Sequence, residues 1–312
     1  MDFRQFQERY QKSPVEHYKH SKANDILVSV LVQTYNHEKY IAECLDSIIK
    51  QETSFNFEII VGEDDSTDKT RSICFDYASK YPERIRLILH SSENKIKVNG
   101  IGTGNFNAIY NFYAAKGKYI AFCEGDDFWT DPFKLQKQVD FLAQNENFSF
   151  CYHQFIEKPT YDVMDFIPLD QPKFDLSSED IINLKSHPQL STVCFRKIFP
   201  QLPEEILKVI NVDSFILSIL GNYGPAKFLG EITPNMYRRH SEGIWTKNER
   251  VLQLQLKAKT FKNLLEYYRS EQKTEAARGI DRYLRNINRS LFILYIKRKN
   301  IYSALKLTRD IF

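Results

Sequence analysis

The sequence has few cysteines, and none of them forms a paired motif. Its 312 residues include five cysteines but no Cys-x-x-Cys pair, which argues against a thiolate zinc site and against a disulfide framework. Four of the five lie within apolar strand or helix patterns, so we expect reduced, buried thiols. The five are Cys44, Cys74, Cys123, Cys151 and Cys194.

A long apolar run, an internal repeat and a large net charge are also lacking. No stretch approaches the roughly 20 apolar residues that span a bilayer, and residues 1–22 are too polar for a secretory leader. The formal net charge is only +3, which does not suggest a nucleic-acid partner. We therefore expect a cytoplasmic enzyme that can also work at the inner face of the cell membrane.

Strand and helix patterns alternate through the first half of the sequence. Residues 26–33 (ILVSVLVQ) are apolar and β-branched, as in a buried strand, whereas residues 38–50 carry apolar side chains at helical spacing. Further strand patterns lie at 57–61, 84–89 and 118–123, with helical patterns at 68–80 and 104–115 between them. This alternation predicts an α/β fold with a mostly parallel sheet and helices on both faces.

The second half is less regular, with strand patterns at 148–155 and 192–196. Residues 157–176 are rich in Pro and Asp and are predicted to form a loop that could cover a site. From about residue 248 the pattern becomes helical and rich in Lys and Arg, which indicates either a solvated helix face or a weak attraction to an anionic membrane. We predict a polar extension at 1–24, a main domain at 25–247 with halves at 25–130 and 131–247, and a helical C-terminal extension at 248–312.

Three acidic residues, Glu124, Asp126 and Asp127, follow the strand pattern at 118–123. Crowded carboxylates repel one another when ionised. A divalent cation relieves this repulsion, because Mg²⁺ and Mn²⁺ bind oxygen ligands. A solvated acidic turn that caps a helix is the alternative. We favour a metal site at Asp126 and Asp127.

Two other strand patterns also end in polar loops, with the sequences Gln33-Thr34-Tyr35-Asn36 and Glu63-Asp64-Asp65-Ser66-Thr67-Asp68. Parallel strands bring their carboxyl ends to one edge of a sheet, so we expect these loops and the acidic residues to converge on one ligand. A glycine-spaced segment at 99–105 precedes a helical pattern and could place backbone N–H groups against a phosphate or sugar. A plain flexible turn explains it equally well.

Taken in order, these stretches resemble the inverting GT-A glycosyltransferases of family 2. The usual family pattern is P-x-Y-N after a strand, then V-D-D-G-S-x-D, then D-x-D-D. The matching stretches here are 28–41, 59–70 and 117–138, with further similarity at 191–193, 212–215 and 237–245. The resemblance covers about residues 26–247 and implies the GT-A fold.

The resemblance implies a set of residues that bind a nucleotide-sugar donor. Thr34 and Tyr35 match the segment that lines the base pocket, where Tyr35 would stack on uracil. Asp64 matches the aspartate that accepts a hydrogen bond from the pyrimidine N3–H. A capped helix start is the alternative explanation for this second loop. The other implied donor-binding residues are Asn36, Glu63, Asn105, Glu124, Asp126, Arg238 and Arg239.

The resemblance also implies residues for metal binding and catalysis. A divalent Mn²⁺ or Mg²⁺ would bind to Asp126, Asp127 and His240. Asp213 would be the base that deprotonates the acceptor hydroxyl, and the cap of a helix that starts at Ser214 is the alternative role. Trp129 and Trp245 are candidates for acceptor contacts, although either ring could simply pack in the core.

Two residues depart from the family pattern. Asp65 stands where the family usually has Gly, so we expect this aspartate to adopt a positive φ angle. Glu124 replaces the commoner first Asp of D-x-D.

The function implied by the resemblance is metal-dependent, inverting transfer of a sugar from a nucleotide-diphosphate donor, with a UDP-sugar expected. The acceptor would be a glycan or lipid-linked saccharide of surface polysaccharide biosynthesis. A sugar-nucleotide pyrophosphorylase is the alternative enzyme, but QTYNHEKY lacks the glycine- and arginine-rich loop that it needs. A non-catalytic sugar-nucleotide-binding protein is the third possibility.

Overall fold

The computed structural model describes residues 1–21, 24–159, 169–199, 201–240 and 249–307. Its strands are β1 (Glu16–His17), β2 (Ile26–Thr34), β3 (Asn56–Glu63), β4 (Ile85–Leu89), β5 (Lys97–Val98), β6 (Ile101–Gly102), β7 (Tyr119–Phe122), β8 (Phe150–Tyr152), β9 (Phe155–Pro159), β10 (Cys194–Arg196), β11 (Ala226–Phe228) and β12 (Asn235–Arg239). Its helices are α1 (Phe3–Tyr10), α2 (Ile41–Ile49), α3 (Thr70–Lys80), α4 (Asn105–Ala114), α5 (Lys134–Gln144), α6 (Ser178–Ile182), α7 (Val212–Leu220), α8 (Arg250–Ser270), α9 (Thr274–Lys297) and α10 (Ile301–Leu307).

The central sheet contains eight strands in the order β1-β4-β3-β2-β7-β10-β8-β11. The strands β4, β3, β2 and β7 run parallel, as the alternating sequence pattern predicts. Strand β10 is antiparallel to both of its neighbours, so the second half of the sheet is mixed. Helices cover both faces of the sheet, so the apolar side chains are fully buried at 28 and 30–32 of β2 and at 59–61 of β3, whereas Ile26 and Leu27 at the start of β2 are half-buried.

The N-terminal segment does not form the polar extension that its composition predicts. A capping box between Asp2 and Gln5 starts α1, and Phe6 is completely buried, with its ring stacked on Phe106 at 5.1 Å. Strand β1 then adds an antiparallel edge next to β4. The segment is polar in total composition but amphipathic in pattern, so its apolar side chains pack into the core and its strand extends the sheet.

The C-terminal region is helical, as expected, and α8 and α9 pack against the sheet domain. Phe261, Leu264 and Tyr268 of α8 are buried in the same core as residues of α7. The phenol of Tyr268 donates a hydrogen bond to the backbone carbonyl of Ser218 at 2.8 Å. These contacts fix the C-terminal helices beside α7, which carries Asp213.

The second half differs from the sequence-based expectation in two places. The strand predicted at 148–155 is divided into β8 and β9, and β9 leaves the central sheet to pair in parallel with β12. The strand predicted at 192–196 begins with a 3-10 turn at Leu190–Thr192 and is extended only from Cys194. All five cysteines are free and buried, as expected.

Candidate donor and metal site

The polar loops after β2, β3 and β7 meet at one edge of the sheet. Parallel pairing puts Thr34 beside Glu63 at the ends of β2 and β3. The backbone N–H of Asp64 donates to the carbonyl of Thr34 at 3.0 Å, and the N–H of Gly125 donates to the carbonyl of Gln33 at 2.9 Å. The three loops therefore form one hydrogen-bonded surface, as the strand order predicts.

The loop after β7 carries Glu124, Asp126 and Asp127 and is called the acidic loop here. Gly125 allows this loop to approach the loop after β2. A Cβ atom at this position would lie 2.7 Å from Oγ1 of Thr34 and 2.8 Å from Nδ1 of His37, distances that no side chain tolerates. Both of these atoms are buried, and within the described residues neither has a hydrogen-bond partner. Buried polar atoms without partners are costly, so this corner has unused capacity for a ligand.

Three potential metal ligands lie together beside this corner: His37, Asp126 and His240. Their ligand atoms all lie within 4.8 Å of one another. Nε2 of His240 is 3.0 Å from Oδ2 of Asp126, and Nε2 of His37 is 3.9 Å from the same oxygen. Ligand atoms lie about 2.1 Å from a divalent ion, so the cluster needs only a small adjustment to surround one ion.

The electrostatics of Asp126 also suit a cation. Its partial burial raises the pKa, but His37 and His240 outweigh that effect and hold the pKa of Asp126 below its usual value. The carboxylate is therefore ionised at neutral pH and faces two imidazoles. His37 was not predicted as a ligand, although a titratable residue directly after the Tyr35-Asn36 pair at a strand end was a usable signal.

The structure does not place Asp127, which was predicted as a metal ligand, in this cluster. Its side chain is 1% exposed. Oδ1 accepts the backbone N–H of Arg238 at 2.9 Å, and Oδ2 accepts Nε2 of Gln189 at 3.3 Å. Burial, together with the charges of Asp126 and Glu124, raises the pKa of Asp127 well above its usual value. Asp127 instead connects the acidic loop to β12 through its hydrogen bond with the backbone of Arg238.

Glu124 lies beside the same glutamine. Its Oε2 accepts Nε2 of Gln189 at 3.4 Å. Burial, followed by the charges of Asp126 and Asp213, raises the pKa of Glu124 to about 8. Glu124 is not one of the three clustered ligands. Gln189 was missed by the sequence reasoning, which considered only the Ser191-Thr192-Val193 stretch that follows it.

Arg238 and Arg239 point to opposite faces of β12, and the sequence alone did not show which faces inward. Arg238 ion-pairs with Glu43 and donates from Nη1 to the backbone carbonyl of Asp126 at 2.6 Å. Arg239 pairs with Glu157 at 2.6 Å. Arg238 is thus the arginine that contacts the acidic loop.

The predicted base pocket contains a lysine that the sequence did not indicate. Asp64 is 5% exposed, and burial raises its pKa to about 7, even though the charge of Lys95 opposes that shift. Nζ of Lys95 is 3.5 Å from Oδ2 of Asp64 and lies 3.4 Å from the centroid of the Tyr35 ring. Lys95 belongs to a loop far along the chain and to none of the motifs, so only the fold reveals it.

Several residues that were predicted to bind the nucleotide-sugar donor stabilise the loops through ion pairs, hydrogen bonds or backbone conformation. Glu63 is fully buried and ion-pairs with Arg71. Oδ1 of Asn36 accepts the backbone N–H of Thr67 at 2.9 Å. Asp65 has a φ angle of 63°, which confirms the positive φ expected where the family usually has Gly.

Two predicted contact residues are core residues in the structure. Asn105 is 3% exposed, and its Nδ2 donates to the carbonyl of Val209 at 2.6 Å. Trp129 is also 3% exposed, and its Nε1 donates to the carbonyl of Ser191 at 3.1 Å. Their side chains are used for packing and do not line the open edge. Trp245 lies outside the described residues.

Asp213 occupies the second position of α7, one residue inside the helix and two after the N-cap Asn211. Asp213 is therefore not the helix cap. Its side chain is one-third exposed, and Oδ2 lies 3.4 Å from Nε2 of His187. The charge of Asp213 is one of the causes of the raised pKa of Glu124 in the acidic loop.

Comparison with known proteins identifies the domain. Residues 29–174 match the sequence model of glycosyl transferase family 2. The chain carries a glycosyltransferase family 2 domain. An uncharacterized protein of Mycobacterium tuberculosis is 34% identical over 220 residues, which are 70% of this chain and 60% of that protein. The chain thus spans less than two thirds of this relative's length.

Two further proteins are informative. WfgD of Escherichia coli, named a UDP-Glc:alpha-D-GlcNAc-diphosphoundecaprenol beta-1,3-glucosyltransferase, is 33% identical over 132 residues, 42% of this chain and 47% of WfgD. The mannosyltransferase PcManGT of Pyrobaculum calidifontis, solved with GDP-Man and Mn²⁺, is 17% identical with a TM-score of 0.53, covering 96% of this chain and 79% of PcManGT. The structural likeness shows that the family 2 domain has the GT-A fold, as the sequence implied.

Proposed function

We propose that this chain transfers a sugar from a nucleotide-diphosphate donor, a UDP-sugar, to a saccharide or lipid-linked saccharide of a surface polysaccharide. The convergence of two clusters at one edge of the sheet carries the proposal. One cluster, Asp64 with Tyr35 and Lys95, suits a base, and the other, around Asp126, suits the diphosphate. WfgD, a relative named for a UDP-sugar and a lipid-diphosphate acceptor, supports the assignment.

Base recognition is assigned to Asp64, Tyr35 and Lys95. The ionised Asp64 carboxylate accepts the uracil N3–H, and the ammonium of Lys95 can donate to a neighbouring ring carbonyl. The ring of Tyr35 is 43% exposed and offers a face for stacking. A site that hydrogen-bonds a polar edge rejects bases that lack it, because its buried groups are then left unpaired.

A divalent ion would be held by His37, Asp126 and His240. Such an ion offsets the negative charge that develops on the leaving diphosphate. Two imidazoles with one carboxylate favour a transition-metal ion over Mg²⁺, which prefers oxygen ligands. Among the transition-metal ions we propose Mn²⁺, because it is the ion present in the PcManGT structure.

Asp213 is the proposed base. The acceptor oxygen attacks the anomeric carbon while the bond from that carbon to the diphosphate oxygen breaks, and Asp213 takes the hydroxyl proton. This single displacement inverts the configuration at the anomeric carbon. The carboxylate of Asp213 is one-third exposed and its charge acts on Glu124 of the acidic loop, and both observations support this role.

A cationic, apolar surface at the end of α9 and on α10 is proposed to contact an anionic membrane. Residues 282–307 contain seven Lys and Arg residues and no Asp or Glu. Isolated apolar side chains beside these charges suit the interface of a bilayer. No described helix is long and apolar enough to cross a membrane. The exposed apolar side chains of this C-terminal face are Ile293, Ile296, Ile301, Tyr302 and Leu305.

The function is tested by a thermal-shift screen of nucleotide sugars with Mn²⁺, followed by an assay of UDP release with lipid-linked and free saccharide acceptors. A bound donor stabilises the folded state by mass action. The proposal expects one UDP-sugar to raise the melting temperature and to release UDP when an acceptor is added. Failure of every nucleotide sugar to bind would contradict it.

A further inference from the structure

His187 lies against the proposed base. Its Nε2 is 3.4 Å from Oδ2 of Asp213 and 2.9 Å from Oγ of Ser214. We propose that His187 is a positioning residue that fixes the carboxylate of Asp213 for catalysis. This inference rests on the proposed function of Asp213 as the base.

The contacts favour one tautomer of His187. If the proton were on Nδ1, the lone pair of Nε2 would face the negative Oδ2 of Asp213, which is electrostatically unfavourable. A proton on Nε2 is attracted by that oxygen, and the hydroxyl oxygen of Ser214 can accept the same N–H in a bifurcated hydrogen bond. His187 thereby holds Oδ2 and leaves Oδ1 of Asp213 as the oxygen that takes the acceptor proton.

The chain segment that carries His187 also contacts the acidic loop. Two residues later, Nε2 of Gln189 reaches Glu124 at 3.4 Å and Asp127 at 3.3 Å. Oε1 of Gln189 accepts the backbone N–H of Ser191 at 2.6 Å, which fixes the amide orientation. Residues 187–189 therefore link the base to the acidic loop through a span that contains a proline. This link sets the position of the base relative to the donor site.

Orientation of a reacting group has a large kinetic effect. A misplacement of about 1 Å costs about 100-fold in rate. Loss of the His187 contact frees the Asp213 side chain to adopt other rotamers, because its carboxylate is one-third exposed. We expect a loss of about 10- to 100-fold in kcat. Donor affinity should be unchanged, because the polar contacts of His187 in the described part of the chain are to Asp213 and Ser214 and not to a proposed donor-binding residue.

Two substitutions of similar size separate positioning from other roles. His187→Gln retains an N–H near the position of Nε2, whereas His187→Leu removes it. Steady-state UDP release, the Kd for the UDP-sugar and the melting temperature are measured for each. The proposal expects His187→Leu to lower kcat by about 10- to 100-fold with an unchanged Kd for the UDP-sugar. It expects the kcat of His187→Gln to remain within about threefold of the wild-type value.

A wild-type kcat for His187→Leu would overturn the proposal. A loss in His187→Gln equal to that in His187→Leu would also overturn it, because it would assign proton acceptance, not orientation, to the ring. If His187→Leu has a clearly lower melting temperature than the wild type, His187→Asn is measured instead, since its shorter amide cannot reach Asp213. A wild-type rate for His187→Asn overturns the proposal in the same way.

Controls distinguish this inference from the proposed function. If the wild type releases no UDP, or if Asp213→Asn keeps the wild-type rate, the role of Asp213 as base fails. If Asp213→Asn loses at least about 100-fold in kcat but keeps a measurable rate, the His187 variants test positioning alone. Adding His187→Leu to Asp213→Asn should then cause no further loss, because residues that act as one unit are not additive.

Discussion

The ammonium of Lys95 lies 3.5 Å from the buried carboxylate of Asp64, while it also rests over the ring of Tyr35. Lys95 is thus the counter-ion of the residue proposed to read the base, and it covers the ring on which the base would stack. A base that binds there must displace the ammonium from the ring face. Both contacts support the proposal that Lys95 takes part in base recognition, with its ammonium donating to the base once it has left the ring face.

Lys95→Met should weaken binding of the nucleotide. Without the opposing charge of the ammonium, burial raises the pKa of Asp64 further, so that less of the carboxylate is ionised at pH 7. We expect about a tenfold higher Kd for UDP, equivalent to about 1.4 kcal/mol, by isothermal titration calorimetry. Lys95→Arg keeps the charge and is the matched control. Equal Kd values for the wild type and Lys95→Met would rule out this role.

Binding of a UDP-sugar should depend on pH through Asp64. Its pKa of about 7 means that the carboxylate is mostly protonated at pH 6 and mostly ionised at pH 8. Only the ionised form accepts the uracil N3–H with full strength, so affinity should rise with pH across this range. A UDP-sugar is the suitable probe because its diphosphate does not titrate near pH 7.

The comparison with Asp64→Asn isolates this effect. The variant lacks the titrating carboxylate, so any pH dependence of its affinity comes from other groups. We expect the ratio of wild-type to variant affinity to grow between pH 6 and pH 8, measured with EDTA present. A ratio that stays constant would show that Asp64 does not read the base.

The metal assignment is tested at two residues on the same edge of the sheet, the half-buried His37 after β2 and the buried Asp127 after β7. His37→Ala should raise the Kd for Mn²⁺ by about 10- to 100-fold, as expected for the loss of one ligand or its support. Asp127→Asn should leave it nearly unchanged, because the two side-chain oxygens of Asp127 already accept hydrogen bonds from Arg238 and Gln189.

Electron paramagnetic resonance of free Mn²⁺ measures both constants directly. Asp127→Asn tests the sequence-based prediction against the structure, since the motif alone favoured Asp127 as a ligand. Loss of Mn²⁺ binding in Asp127→Asn but not in His37→Ala would support the motif and refute the three-residue cluster.

Much of the fold could be predicted from the sequence, because strand and helix periodicities and the order of the loops determine a parallel sheet edge. Asp64, Asp126 and His240 could also be found from the sequence, because they lie in stretches that match the family pattern. The choice between Asp126 and Asp127 could not, since it depends on the backbone N–H of Arg238 in β12, far along the chain. Lys95, His187 and Gln189 reach the site only through folding and belong to no local pattern.

The C-terminal face should bind anionic vesicles. Replacing Tyr302 and Leu305 together by Ser removes two of its most exposed apolar side chains, and it should lower the fraction that sediments with phosphatidylglycerol-containing vesicles several-fold. Phe174→Ser, at an exposed aromatic residue outside this face, is the control. Binding should be weak to vesicles of phosphatidylcholine alone and should fall with salt. Equal sedimentation of the double variant and the wild type would contradict the proposal.

The central claim is that one edge of the sheet binds a UDP-sugar with a divalent ion and that Asp213 activates the acceptor. The most direct measurement is UDP release from a bound UDP-sugar with Mn²⁺ and acceptor, compared between the wild type and Asp213→Asn. The account predicts that Asp213→Asn binds the donor with unchanged Kd and loses at least about 100-fold in kcat, as expected for loss of a general base. Transfer by Asp213→Asn at the wild-type rate would contradict it.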